Sequence, residues 1–111
     1  MSALESRLAA LERARQASRE AQRVRAAIRS AGPRDGALQA ADIIAAGESR
    51  MRPEPLLRAV PRVGSGTLQR MLGMARVDRG GQRVSEISPR RREELVRQLL
   101  RHANRPWGPG A

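Results

Sequence analysis

From Ala3 to Ser30 the chain contains neither glycine nor proline, and no other stretch of the sequence is free of helix breakers for so long. Length alone argues against a strand, since strands rarely exceed about 10 residues. Ser2 and Glu5 stand at the spacing of a capping box, which satisfies two otherwise orphaned amides at a helix start. Leu4, Leu8, Leu11, Ala14, Ala17, Ala21, Val24 and Ile28 step by three or four and predict one helical face, weak in its alanine middle. At about 1.5 Å per residue such a helix reaches roughly 40 Å, long for a small protein. Gly32-Pro33 ends it. Seven arginines, Arg7, Arg13, Arg15, Arg19, Arg23, Arg25 and Arg29, stud it against Glu5, Glu12 and Glu20. Two readings stand open for it: a solvated or weakly dimerising helix, and a basic arm laid along nucleic acid.

The rest of the chain reads as short helices. Residues 35–46 predict a second one, with Asp35 as N-cap, Leu38, Ala41, Ile44 and Ala45 on one face, and Gly47 as the stop. Residues 48–55 read as a linker. Pro53 and Pro55 suit the first turn of a third helix through Val60, because a missing amide hydrogen costs little there. Pro61 closes it. A fourth helix spans about 66–75 and turns Leu68, Met71 and Leu72 inward. Residues 76–88 are irregular, with a turn at Gly80-Gly81. The last helix starts at Ser88 and Pro89 and carries Leu95, Leu99 and Leu100. The expected organisation is a basic helical arm over residues 1–31, a helical domain over 35–103 and a loose tail over 104–111, and no strand is required.

A core in this chain must be aliphatic. Phenylalanine and tyrosine are absent, and the single Trp107 falls in the tail. Cysteine and lysine are also absent and histidine occurs once, which removes thiol and Schiff-base chemistry, disulfides and a histidine-rich metal site. No apolar run approaches the length of a membrane span, so no membrane partner and a cytoplasmic location are expected. The 22 basic residues, all arginine, face 11 acidic ones, for a net charge of +11. A GC-rich genome accounts for arginine over lysine but not for the excess of charge. That excess favours a polyanion as partner.

Residues 59–72, AVPRVGSGTLQRML, join the third and fourth helices through a tight P-x-V-G-x-G turn, which has the form of a helix–hairpin–helix. Leu57, Val60, Val63, Leu68, Met71 and Leu72 would form a small core around it. Gly64 and Gly66 are expected either to supply positive φ or to let a partner approach the backbone closely. The fourth helix begins there, so its free amides and dipole suit an oxyanion such as phosphate. Arg58, Arg62 and Arg70 would flank it. Ser65 and Thr67 read as capping residues. In the last helix, Arg90, Arg91 and Arg92 occupy the first turn, where the dipole disfavours cations. With Arg76, Arg79 and Arg83 they form a second basic region. No nucleotide loop of the G-x-x-x-x-G-K-[ST] type is present. Asp78 and Glu86 have nothing that places them together, and His102 reads as structural. No cofactor, metal, small-molecule substrate or catalytic set is expected.

The run LLRAVPRVGSGTLQRMLGMARVDRGGQRVSEIS resembles the actinobacterial type of integration host factor, a small nucleoid-associated family. Leu56, Leu57, Pro61, Val63 and Gly64 match its Leu-Leu and Pro-Gly-Val-Gly-Lys pattern, and Arg83 and Val84 match its arginine-rich loop. Residues 19–32 resemble its long basic helix and residues 42–47 its second helix. Arg62 stands at the first glycine of the pattern and Ser65 at its lysine. The resemblance implies an all-α fold in which a long N-terminal helix precedes a small four-helix domain with a helix–two-turns–helix module. It also implies a non-enzymatic duplex-DNA-binding protein of the nucleoid, low in sequence specificity, that organises or bends DNA and assists recombination. Val63, Gly64, Ser65 and Arg83 carry the family's contacts. To these the charge and turn patterns add Arg58, Arg62, Gly66, Thr67, Arg70, Arg79, Arg90 and Arg91. RNA or the ribosome is the alternative partner, and self-association is left open.

Overall fold

The computed structural model describes residues 2–78 and 81–108; Arg79 and Gly80, expected in the basic loop and its turn, lie outside them. The described residues form five α-helices and no strand: α1 (Ala3–Ser30), α2 (Gly32–Ala46), α3 (Pro53–Ala59), α4 (Ser65–Ala75) and α5 (Pro89–Ala103), with a single 3₁₀ turn at Val84–Glu86. The all-α expectation holds, and a long N-terminal helix does precede a helical domain.

The expected capping box forms at the start of α1: the Glu5 amide donates to Ser2 Oγ at 3.1 Å and the Ser2 amide to the Glu5 carboxylate at 3.3 Å. The eight apolar positions of α1 do not share one face. At about 100° per residue they drift by about 120° around the axis between Leu4 and Ile28. Only Ile28 is buried, with Val24 packed beside it, whereas Leu4, Leu8 and Leu11 are 66%, 57% and 53% exposed.

The second helix starts earlier than Asp35. Gly32 turns the chain at φ 90° and Pro33 enters the first turn of α2, so the Gly-Pro pair both ends α1 and begins α2. Asp35 lies in that first turn and accepts no capping bond. Gly36 is buried where α2 crosses the end of α1: a Cβ there would come within 2.6 Å of the Ile28 carbonyl oxygen and 3.1 Å of Pro61 Cδ. Pro53 and Pro89 sit in the first turns of α3 and α5 as expected.

α2 and α5 run antiparallel and form the centre of the domain. Ile44, Leu56, Leu57, Leu68, Met71, Leu95 and Leu99 are almost wholly buried between the helices, with Val84 from the loop. The core is aliphatic throughout, as the composition requires. The Arg92 guanidinium closes the α2–α5 end: Nη1 donates to the carbonyls of Ile44 and Ala45 at 3.2 and 3.0 Å, and Nε to that of Ile87 at 3.2 Å. Three orphan carbonyls are thereby satisfied by one side chain. Gly47 leaves the space, since a Cβ there would overlap Arg92.

Candidate nucleic-acid interface

The turn between α3 and α4 exposes Gly64, Ser65 and Gly66. The first intrahelical bond of α4 runs from the Leu68 amide to the Gly64 carbonyl at 2.9 Å. The amides of Ser65, Gly66 and Thr67 therefore lie in the free first turn, and no side chain caps it. Neither Ser65 nor Thr67 acts as the expected cap. Gly64 is the N-cap residue, so both hydroxyls start inside the helix, beyond the position from which a side chain reaches back to the second and third amides.

Neither glycine of the turn supplies positive φ. Gly64 is extended (φ −88°, ψ −179°), and Gly66 is not among the positive-φ residues. A Cβ at either position would meet nothing within 4 Å. The left-handed residue of the turn is Arg62, at φ 72°. This conformation costs a non-glycine residue about 1–2 kcal/mol. Its side chain is exposed, and the Val63 amide closes the turn on the Val60 carbonyl at 3.2 Å.

The turn is braced from inside the molecule by residues the sequence left apart. His102 is buried at the end of α5 and its Nε2 donates to the Pro61 carbonyl at 3.0 Å. Trp107 folds back over it. Its Nε1 donates to the His102 carbonyl at 2.8 Å, and the two rings lie 4.8 Å apart. The tail expected to be loose from Asn104 is thus anchored as far as Trp107, because its half-buried indole finds both a ring to pack on and an acceptor there. His102 Nδ1 is buried with no hydrogen-bond partner among the described residues. Burial lowers the His102 pKa below 6.5; the Pro61 bond opposes that shift, and the Arg105 and Arg70 charges add to it. The lowered pKa favours the neutral ring, which donates through Nε2 to Pro61.

The candidate arginines do not converge on one surface. Arg62 and Arg70 are exposed beside the turn. Arg58 pairs with Glu54 at 3.3 Å and lines a cleft between α1 and α3. Arg90 and Arg91 line a groove with Arg76 and Arg97 at the C-terminal end of α4. About 15 Å of helix separates that groove from the turn. Arg83 is exposed on the loop that the Val84 and Ser85 amides tie to the Met51 and Ser49 carbonyls, at 2.8 and 2.9 Å. Arg92 leaves the basic cluster altogether for its structural role. Asp78 and Glu86 are both exposed, and Glu86 accepts from the Arg83 amide at 3.0 Å.

Among the described residues no group of His, Asp or Glu could hold a metal ion, and no helix is long and apolar enough to cross a membrane. No protein-family model, curated protein or solved structure matches the chain.

Proposed function

We propose that the protein is a non-enzymatic duplex-DNA-binding protein of the nucleoid, holding the phosphate backbone with little sequence preference. One observation carries this reading. Gly64 precedes the free amides of α4 and Gly66 carries one of them, yet nothing inside the protein needs a glycine at either place. Gly66 lies inside α4, where glycine costs about 0.5–1 kcal/mol relative to alanine; Gly64 is the N-cap, where glycine is tolerated. A bare backbone there serves an approach from outside, and free amides at a helix start suit a phosphate oxygen. The net charge of +11 supplies the long-range attraction. Backbone contacts position a protein on DNA without reading sequence. The resemblance to the actinobacterial integration host factors points the same way and adds bending and support of recombination to the proposal.

Gly64→Glu tests it. The new side chain enters open space, so the fold is kept, and its carboxylate stands where phosphate is expected. In a titration at several salt concentrations, the wild type binds duplex DNA with log affinity falling steeply against log salt. Gly64→Glu binds at least about tenfold more weakly, the effect of roughly 1.4 kcal/mol. Unchanged binding would make the turn purely structural. Preferential binding of structured RNA in competition would replace DNA by the RNA reading; the lack of aromatic residues other than Trp107 already disfavours single strands held by stacking.

A further inference from the structure

The cleft between α1 and α3 has a volume of about 600 Å³ and is lined by Gln22, Arg25 and Arg29 of α1 and by Arg52, Glu54 and Arg58 at α3. Four guanidiniums share it with one carboxylate. Glu54 pairs with Arg58. Among the described residues, Arg25, Arg29 and Arg52 make no side-chain hydrogen bond or ion pair. Arg25 is half-buried, drawn partly out of water without a counter-ion. Arg25 and Arg29 stand one turn apart, where like charges repel. Arg29 gains from the C-terminal end of α1, but Arg52 sits at the N-cap of α3, where the dipole opposes a cation. The amides of Val84 and Ser85 bond to the carbonyls of Met51 and Ser49, which ties the segment leading into Arg52 to the loop.

Concave walls of one sign focus the field and concentrate counter-ions. Several guanidiniums that lack acids match phosphate oxygens with their planar forks. No aromatic side chain lines the cleft to stack a base. The cleft is open, and its volume leaves room for a length of polymer backbone. We propose that this cleft is a second phosphate-binding site, distinct from the turn at Gly64, that takes the phosphodiester backbone of duplex DNA. The inference rests on the proposed function only for the identity of the polymer.

The test uses the full chain labelled with ¹⁵N, titrated separately with duplex DNA and with inorganic pyrophosphate at matched ionic strength. Amide and guanidinium signals are followed for residues 22–29 and 52–58 and compared with those of 62–68. With duplex DNA, both groups of signals are expected to shift. The double variant Arg25→Gln, Arg52→Gln is expected to bind at least about tenfold more weakly and to lose about two units of salt slope, close to 0.9 per phosphate contact. Duplex binding that moves only residues 62–68 would overturn the cleft site and leave the proposed function standing, and the wild-type spectra decide this even if the double variant fails to fold. If the wild type binds no duplex, pyrophosphate decides: shifts at 22–29 and 52–58 keep the phosphate site while the DNA reading falls, and silent signals remove both.

Discussion

Arg62 holds the backbone conformation that a glycine would hold at lower cost. Its φ of 72° shapes the turn, and its exposed guanidinium stands beside the free amides of α4. Strain of this kind concentrates where function requires a particular backbone. Arg62→Gly is expected to raise stability by about 0.5–1 kcal/mol, the relieved strain less the entropy lost by glycine, and to weaken DNA binding by removing a charge. Thermal unfolding and a duplex titration of the same variant check both halves. His102 gives a second residue-scale prediction. Its folded pKa lies below its unfolded value of 6.5, so the unfolded chain binds more protons in the acid range. The stability it contributes is full above that value and is lost as pH falls below it. The unfolding midpoint should therefore be lower at about pH 5.5 than at about pH 7.5, and His102→Gln should reduce the difference. An unchanged pH dependence in the variant would assign the acid sensitivity elsewhere.

At the scale of elements, the antiparallel pair α2 and α5 is joined at one end by Arg92 and at the other by the contact of α5 with the turn. Arg92 reads from sequence as the third member of an arginine run and as an affront to the α5 dipole. Its guanidinium instead spans to the C-terminal carbonyls of α2, where a cation is favourable. Arg92→Ala should destabilise the protein by about 2 kcal/mol through loss of charged hydrogen bonds to carbonyls, discounted for partial exposure. Arg91→Ala, exposed in the same turn, should change stability by no more than about 0.5 kcal/mol. Chemical denaturation of the two variants side by side separates the structural arginine from the surface one. The α1–α2 junction has its own device: Gly36 allows α2 to lie directly on the Ile28 carbonyl and on Pro61, which brings the turn under the control of both helices.

The whole molecule is elongated. Its radius of gyration is 15.7 Å and its longest extent 57 Å, against about 13 Å expected for a compact chain of this length. α1 accounts for the difference: its first half extends past the core with Leu4, Leu8 and Leu11 exposed. Replacing the three together by Gln should leave the stability of the monomer within about 0.5 kcal/mol, because none of them packs against the core. A larger loss that grows with protein concentration would show that these leucines pair between chains. The basic charge is likewise spread over the turn, the α1–α3 cleft and the groove between α4 and α5, so it forms several separate surfaces rather than one.

What was legible in the sequence follows from local rules. The absence of breakers and the Ser2–Glu5 spacing determined α1, prolines in first turns marked α3 and α5, and the missing phenylalanine and tyrosine required an aliphatic helical core. The α4 turn and its exposed glycines were found because glycine and proline punctuate the chain locally. Three features were not legible. The brace from Pro61 through His102 to Trp107 and the diversion of Arg92 to α2 depend on partners from 5 to 48 residues away, and the left-handed φ of Arg62 belongs to the backbone of the turn rather than to its residue type. The arginine count set the charge, but only the packing of α1 on α3 decided which guanidiniums share a cleft and which are used up inside the fold. A side chain's capacity to bond belongs to its own chemistry; its partner is chosen by where the backbone places the opposing group.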